Sequence, residues 1–366
     1  MASFTCGFIG LGLIGGSIAR ALKENKGKDA KILAYDPDRD SVSRACEDGV
    51  VDEPLSEIDD RLSDCDIVFL CAPVSVNLAN AEKIKPFLSK DTILTDVGSI
   101  KGEMHRKIRE LGLDDRFIGG HPMAGSERIG YANSKAIFLE NAYYIITKTQ
   151  MTETKRLRKF SDLVKSMGAI PLIMTPEEHD RVTAAVSHLP HVISASLVNL
   201  VKDSDSVNGE MRMVAAGGFK DITRISSSSP DMWEQICLSN PTNISELLEK
   251  YISSLEDVRR SIDSRDGDAL NAFFDSARRY RDSFIDASRG PIKALNDVHV
   301  EIPDRPGALA DVLSVLALHS INVKNVGIIH NREVETGSLN VELHNHDSVK
   351  RAKEILESKG YAVTIG

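Results

Sequence analysis

The chain has 366 residues, which is too long for one compact core, and 42% hydrophobic with 27% charged residues is ordinary for a globular protein. Its 45 basic and 54 acidic side chains give a net charge of −9, which excludes a general attraction for nucleic acid or an anionic membrane. Five cysteines without a CxxC pair favour reduced thiols in a cytoplasmic protein. The sequence predicts neither a signal peptide nor a membrane span.

The first half of the chain alternates short β-rich runs with amphipathic helical runs, which is typical of a parallel α/β sheet. The predicted strands are 5–10, 31–35, 67–71, 92–96 and 116–118, and the runs 143–147 and 169–172 could extend the same sheet. The predicted helices are 14–24, 39–47, 76–87, 101–111 and 152–167. We therefore predict a Rossmann-type dinucleotide-binding domain at residues 1–175.

A glycine motif joins the first predicted strand to the first predicted helix. It reads G-x-G-x-x-G through Gly10, Gly12 and Gly15, and it contains Leu13 and Ile14. Gly10 permits a tight turn, Gly12 lets a pyrophosphate approach the backbone, and Gly15 lets the helix pack closely on the strand. The phosphates would meet unpaired N–H groups at the start of the helix. A G-x-x-x-G pattern from Gly12 also fits simple helix packing.

Asp36 bears on the choice of cofactor. It ends the second predicted strand, 21 positions after Gly15. A carboxylate there accepts a hydrogen bond from a ribose 2′-hydroxyl and repels a 2′-phosphate, so the pattern favours NAD over NADP. Arg39 is close enough to make the choice between the two cofactors ambiguous, and Asp36 could instead be only a turn residue before Pro37.

Two polar segments follow later strands, at the edge where parallel sheets bind ligands. Ser99 follows strand 92–96 and either contacts a ligand or caps the next helix. His121 lies between glycines and a proline, which predicts a loop. Its imidazole, with an ordinary pKa of about 6.5, could accept a proton from an alcohol as hydride leaves the same carbon.

After Pro176 the β-rich runs stop, and helical periodicity continues to about residue 288. Apolar residues recur at helical spacing in the last part of this segment: Leu247, Leu248, Ile252, Leu255, Val258 and Ile262. We predict an all-α domain at 176–290 that buries this face against a second subunit, as a homodimer. The alternative is a helical cap on the same subunit.

The helical segment also carries candidate ligand-binding side chains. His188 and His191 are spaced for metal ligation, but no carboxylate or cysteine nearby completes a set, so we predict no metal. Lys220 and Arg224 are one helical turn apart and could hold carboxylates in one cleft. They could equally lie on a solvated face, with Lys220 paired to Asp221.

The last part of the chain, 294–366, has a βαββαβ order typical of a small ferredoxin-like module. It follows a linker around Gly290. The predicted strands are 297–302, 323–330, 337–344 and 362–365, and the predicted helices are 308–319 and 349–358.

Several short blocks of residues, taken together, form a specific sequence pattern. They are GLGLIGGS at 10–17, DVGSIKG at 96–102, GHPMAGS at 120–126, SHLPH at 187–191, and GGFKDITR at 217–224 followed by Trp233. In order and spacing these blocks resemble the prephenate dehydrogenase family, in the form with a C-terminal ACT domain. The segment VEIPDRPGAL at 300–309 resembles the ACT pattern.

The resemblance implies an NAD-dependent oxidative decarboxylation of prephenate to 4-hydroxyphenylpyruvate, a step of tyrosine biosynthesis. It implies that His121 is the catalytic base, and that Ser99 hydrogen-bonds the ring hydroxyl and helps to orient His121. Four further side chains correspond to substrate-binding or gating positions of the family: His191, Arg224, Lys220 and Glu127. Because prephenate is a dianion, an acidic chain must concentrate positive charge where it binds.

The ACT resemblance implies an amino-acid effector, most simply tyrosine, with Asp304 and Gly307 in the turn that lines its site. A purely structural ACT domain remains an alternative. Two other functions also remain open: arogenate dehydrogenase, whose substrate differs only in an amino group for a keto group, and a non-catalytic sensor of NAD and amino acids.

Overall fold

The computed structural model describes residues 4–125, 128–287, 297–303, 305–329, 336–343 and 346–365. The chain divides into two compact units, Met1–Asp257 and Val258–Gly366. The two units are described separately below.

The first unit contains an eight-stranded sheet in the order β3-β2-β1-β4-β5-β6-β7-β8. The strands are β1 Phe4–Ile9, β2 Ala30–Tyr35, β3 Glu53–Pro54, β4 Ile67–Leu70, β5 Ile93–Asp96, β6 Phe117–Pro122, β7 Tyr143–Lys148 and β8 Ile170–Met174. The helices that connect them are α1 Leu13–Lys26, α2 Arg39–Glu47, α3 Val74–Ile84, α4 Gly102–Glu110 and α5 Thr154–Ser166. Neighbouring strands pair in parallel except β6 and β7, which are antiparallel.

The sheet is buried on both faces because helices cover both sides, and successive side chains of its central strands point alternately to the two sides. Phe8 and Phe69 stack at a centroid distance of 4.9 Å on the face that α1 and α5 cover. On the other face, Ile9, Val68 and Leu94 belong to the core that α3 and α4 cover. This arrangement confirms the predicted Rossmann-type domain.

One predicted boundary is wrong in a way that matters for function. Strand β6 extends to Pro122 instead of ending near residue 118, so His121 lies on a strand and not on a loop. The extension arises because β7 pairs with β6, with His121 opposite Ile145. The two-residue strand β3 was not predicted, because so short a run has no visible alternation.

A helical region follows the sheet. Its helices in this unit are α6 Pro176–Thr183, α7 Leu189–Ser204, α8 Glu210–Val214, α9 Gly217–Thr223, α10 Pro230–Ser239 and α11 Pro241–Asp263, which runs past the end of the unit. A π-helical turn, Ala184–His188, joins α6 to α7 without a break. Pro190 is the second residue after this turn, and its missing N–H removes an α-helical hydrogen bond at that point.

The continuous helical run Pro176–Ser204 is long and apolar enough, by length and composition alone, to cross a membrane. The sequence did not predict a span there. In this structure the run carries three histidines of the candidate site, namely His179, His188 and His191.

The second unit contains helix α12 Gly267–Ala287 and a four-stranded antiparallel sheet in the order β10-β11-β9-β12. The sheet and its helices are β9 Asp297–Pro303, α13 Ala308–Leu318, β10 Val323–Ile329, β11 Thr336–Leu343, α14 His346–Ser358 and β12 Val363–Ile365. Val300, Val312 and Leu339 lie in its core. The order of elements agrees with the predicted βαββαβ pattern. Gly307 precedes α13 with φ +88°, whereas Asp304 lies outside the described residues.

Candidate active site

The glycine loop between β1 and α1 has the shape that a dinucleotide needs. Gly10 has φ +100°, and a Cβ there would lie 2.8 Å from the backbone of Cys71. A Cβ at Gly15 would lie 2.7 Å from the Gly10 carbonyl oxygen, whereas one at Gly12 would meet nothing within 4 Å. The loop therefore packs tightly on its inner side and leaves open space at Gly12, where a diphosphate could approach the backbone.

Asp36 directly follows β2 and is fixed beside this loop. Its carboxylate accepts hydrogen bonds from the Leu11 N–H at 2.6 Å and from the Asp38 N–H at 2.8 Å. The carboxylate is only half-buried and retains free lone pairs, which can accept a ribose hydroxyl. Leu13 and Ile14, also half-buried, begin α1 beside it. These residues fit the adenosine half of NAD.

The guanidinium of Arg39, which could have favoured NADP, is hydrogen-bonded to other groups. Its guanidinium donates hydrogen bonds to the Leu55 carbonyl at 2.8 Å and to the Ser56 carbonyl. It also lies over the Tyr35 ring, 5.6 Å from the centroid. A 2′-phosphate would have to compete with these contacts.

Asp96, at the end of β5, connects the segments that carry Ser99 and His121. Its carboxylate accepts hydrogen bonds from the Gly98 N–H at 3.0 Å and from the Gly120 N–H at 3.3 Å. It also accepts one from the Lys101 amine, and both side chains of this ion pair are buried. Through the Gly120 contact, Asp96 joins the end of β5 to β6.

Ser99 does not cap the next helix, so that alternative is wrong. The N-cap residue of α4 is Lys101, and the helix start is capped from another element. The N–H groups of Lys101 and Gly102 each donate to the Asp180 carboxylate of α6 at 2.8 Å. Ser99 lies half-buried in the loop before them, on the side of the sheet edge where β5 and β6 end.

His121, near the end of β6, is the first member of a hydrogen-bonded chain. Its Nδ1 lies 2.8 Å from Nε2 of His179, and Nδ1 of His179 lies 2.8 Å from Oδ1 of Asp180. Burial lowers the pKa of His121 well below its usual value, and the neighbouring His179 and Lys101 lower it further. Burial also lowers the pKa of His179. Both imidazoles are therefore neutral at neutral pH, so each ring has one nitrogen with a free lone pair.

A second group of rings lies along α7 and α10. His191 stacks on Trp233 at a centroid distance of 3.7 Å, and His188 meets the same indole edge-on at 6.2 Å. Within the described residues, Nε2 of the buried His188 and Nε1 of Trp233 have no hydrogen-bond partner. These two buried polar atoms are available to a ligand. His191 Nδ1 lies 2.9 Å from the Ser187 carbonyl, which leaves its Nε2 free of that contact.

Of the two predicted cations, the structure places Arg224 near the second group of rings. Arg224 follows α9 and is exposed, and its charge is close enough to lower the pKa of His191, whose burial has the larger effect in the same direction. Lys220 lies one turn earlier on α9 and is exposed. Glu127 lies outside the described residues. In the part of the chain that the structure describes, no three side chains of His, Cys, Asp or Glu converge as metal ligands.

Sequence reasoning missed the residues that support His121. His179 and Asp180 were visible only as an adjacent pair at the start of a helix, and Lys101 and Asp96 only as parts of a motif. Their contacts with the sheet edge depend on tertiary packing, since Asp180 lies 79 positions from Lys101 in sequence.

Comparison with known proteins shows the family to which the chain belongs. The family model described as the nucleotide-binding domain of prephenate dehydrogenase matches residues 18–180, and the model of its dimerization domain matches 175–276. A prephenate dehydrogenase of Bacillus subtilis is 36% identical over 354 residues, covering 96% of this chain and 95% of the relative. The chain belongs to the prephenate dehydrogenase family. Family membership makes it an NAD-dependent oxidoreductase.

Solved structures of the family have the same fold. A prephenate dehydrogenase from Aquifex aeolicus, in complex with hydroxyphenyl propionate and NAD+, is 32% identical with a TM-score of 0.73, and covers 78% of this chain and 99% of that one. The arogenate dehydrogenase of Synechocystis is 28% identical with a TM-score of 0.68, and covers 77% of this chain and all of that one (100%). Both support a Rossmann-type domain followed by the family's helical dimerisation domain.

Proposed function

We propose that this chain catalyses the oxidative decarboxylation of prephenate to 4-hydroxyphenylpyruvate with NAD. The observation that carries the proposal is the position of the His121 imidazole, whose Nδ1 lies 2.8 Å from His179 Nε2, at the edge of the sheet where dinucleotide-binding folds bind their ligands. A base at that position is what the oxidation of a ring alcohol requires.

His121 acts as the general base in this proposal. Bound NAD supplies the acceptor for the hydride that leaves the ring carbon bearing the hydroxyl. Nε2 of His121 takes the hydroxyl proton as the hydride leaves, and Ser99 orients the hydroxyl. When the opposite ring carbon loses carbon dioxide, the ring becomes aromatic and the proton returns to the phenolate oxygen. Aromatisation drives the reaction, so the chain mainly positions the two reactants.

Binding of the dianionic substrate is assigned to the groups around α7 and α9. We propose that Arg224 holds a carboxylate, that Lys220 adds positive charge and that His191 lines the pocket. The stacking of His191 on Trp233 fixes that ring. The buried Nε2 of His188 and Nε1 of Trp233 offer polar contacts for the substrate. Glu127 is kept as a gating residue.

Purified protein mixed with prephenate and NAD tests this function. The proposal expects absorbance of reduced nicotinamide to grow with time, at a rate that depends on both substrates. Protein that binds NAD but gives no reduced nicotinamide between pH 6 and 9 would contradict the proposal and favour a non-catalytic sensor.

Arogenate is a second candidate substrate, and the likeness to the Synechocystis arogenate dehydrogenase favours it. The two substrates differ only in the side chain remote from the reacting hydroxyl. The ratio of kcat/KM for prephenate to that for arogenate, measured with one enzyme preparation, decides between them.

We also propose that the chain works as a cytoplasmic homodimer. The apolar face predicted on α11 is largely uncovered, since Ile252 is 50% and Leu255 48% exposed. In the second unit, Phe273 and Phe274 of α12 are exposed as well. Apolar faces of this kind usually pack against a partner. A monomeric mass at micromolar concentration would contradict the dimer.

The C-terminal module is proposed to be an ACT domain that binds tyrosine and inhibits the enzyme. Its βαββαβ order and the turn at Gly307 support that assignment. The division into domains at 1–175, 176–290 and 294–366 is part of the same proposal.

A further inference from the structure

We propose that His179 and Asp180 are positioning residues that fix the proton of His121 on Nδ1 and so leave its Nε2 as the proton acceptor. This inference rests on the proposed function for its catalytic consequence. The arrangement of protons can nevertheless be measured without substrate.

The first step concerns Asp180, whose carboxylate is held by several donors. Oδ1 accepts from the Lys101 N–H and Oδ2 from the Gly102 N–H, both at 2.8 Å. A Cβ at Gly102 would lie 2.9 Å from Oδ2, so the glycine permits this close approach. Burial acts to raise the pKa of Asp180, but the hydrogen bonds from His179, Lys101 and Gly102 lower it below its usual value. The carboxylate is therefore ionised and can only accept hydrogen bonds.

The second step concerns His179, which lies between Asp180 and His121. Because Asp180 has no proton to give, Nδ1 of His179 donates across the 2.8 Å contact. Burial keeps the His179 imidazole neutral by lowering its pKa. A neutral imidazole with a proton on Nδ1 has a lone pair on Nε2, so Nε2 of His179 accepts a hydrogen bond.

The third step sets the proton of His121. Its Nδ1 lies 2.8 Å from the accepting Nε2 of His179, so Nδ1 carries the proton. Nε2 of the neutral imidazole is then unprotonated. In free neutral imidazole either nitrogen can hold the proton, so the chain of contacts selects the form that serves as a base. When Nε2 takes a proton, the new positive charge is stabilised through His179 by the carboxylate, as in a catalytic triad.

Most charged and titratable groups around His121 and His179 favour the neutral form of these two imidazoles. The positive charge of Lys101, the N-cap residue of α4, disfavours a further positive charge on either ring. His188 of the π-helical turn acts in the same direction on His121, and Asp96 of β5 acts in the opposite direction on His179. His105 of α4 is itself neutral, because burial lowers its pKa to about 3.

Nuclear magnetic resonance of protein labelled with [15N]histidine tests the arrangement directly. The His121 signals are identified by their absence from His121→Asn. At neutral pH without ligands, we expect the wild-type His121 proton on Nδ1, and we expect it to move to Nε2 in His179→Leu. A wild-type His121 protonated on Nε2 would overturn the inference, and so would an unchanged proton position in the variant.

Kinetics provide the second readout, with His105→Leu as the matched control. His105 is also a buried imidazole and lies 2.7 Å from Thr147 Oγ1, but among the described residues no hydrogen bond joins it to His121, His179 or Asp180. We expect His179→Leu to lower kcat by roughly 10²-fold with the prephenate KM within about threefold. The control should keep kcat within about threefold of wild type.

His179→Gln separates positioning from simple packing. Its Oε1 can accept from His121 Nδ1 at the position of the lost Nε2, so part of the lost kcat should return relative to His179→Leu. Equal kcat in His179→Leu and wild type would overturn the inference and leave the proposed function intact. If the wild type shows the Nδ1 proton but does not oxidise prephenate, the proposed function fails while the proton arrangement stands.

Discussion

The Lys101 amine and the Asp96 carboxylate form a buried ion pair at the end of β5, with side-chain exposures of 0% and 3%. Asp96 also accepts the N–H groups of Gly98 and Gly120. The pair therefore lies beneath the segments that carry Ser99 and His121. Removal of one charge would leave the other buried without a partner.

Asp96→Asn should lower the free energy of unfolding by about 3–5 kcal/mol, because it leaves the Lys101 charge uncompensated. Denaturant unfolding measures this change. The double variant with Lys101→Met should recover much of the loss, since both charges are then gone. Glu82→Gln, which disrupts the surface pair with Lys107, is the control and should change the free energy by less than about 1 kcal/mol. Equal effects of the buried and surface variants would contradict the account.

His121→Asn should lower kcat with prephenate and NAD by roughly 10²-fold or more, because it removes the general base. His319→Asn alters an exposed imidazole of the C-terminal module and is the control. Steady-state rates measured at saturating NAD give the comparison. Full activity of the His121 variant would assign the base to another group.

The buried histidines make stability depend on pH in the acid range. Burial lowers the pKa of His105 to about 3 and that of His188 to about 4, whereas both titrate near 6.5 in the unfolded chain. Between those values the unfolded state binds more protons, so stability is full above pH 6.5 and falls as the pH decreases. Each histidine contributes about 1.4 kcal/mol per pH unit in that window.

Free energies of unfolding measured between pH 7 and pH 5 test this dependence. His105→Gln should make the pH dependence shallower by about 1.4 kcal/mol per pH unit below pH 6. The same slope in the variant and the wild type would show that His105 does not titrate as described.

The cofactor preference should depend on Asp36. Asp36→Ala removes the acceptor of the ribose hydroxyl, so the KM for NAD should rise about tenfold and that for NADP should fall. Asp40→Ala, an exposed carboxylate of α2, is the control. Unchanged KM values for both cofactors in the Asp36 variant would place the ribose elsewhere.

Tyrosine inhibition should depend on the C-terminal module. Truncation near Ala294 should abolish inhibition while activity persists, provided that circular dichroism shows a folded protein. Gly307→Ala tests the same point in the full chain, since Gly307 has φ +88° and a side chain there strains the turn. Equal tyrosine sensitivity of the truncated and complete enzymes would exclude an ACT origin.

The sequence predicted most of the sheet because its buried strands have clear apolar runs between turn signals. Helix α2 lies at the predicted residues 39–47. The sequence did not predict the length of β6, because that extension depends on pairing with β7. Nor did it predict that Asp180 caps α4 or that His179 supports His121, because both contacts join segments distant in sequence.

The most direct test of the central claim is the stoichiometry of a single incubation with limiting prephenate and excess NAD, analysed for all products. The account predicts one reduced nicotinamide, one carbon dioxide and one 4-hydroxyphenylpyruvate for each prephenate consumed, with His121→Asn much slower under the same conditions. Reduced nicotinamide without 4-hydroxyphenylpyruvate, or equal rates for the two proteins, would contradict it.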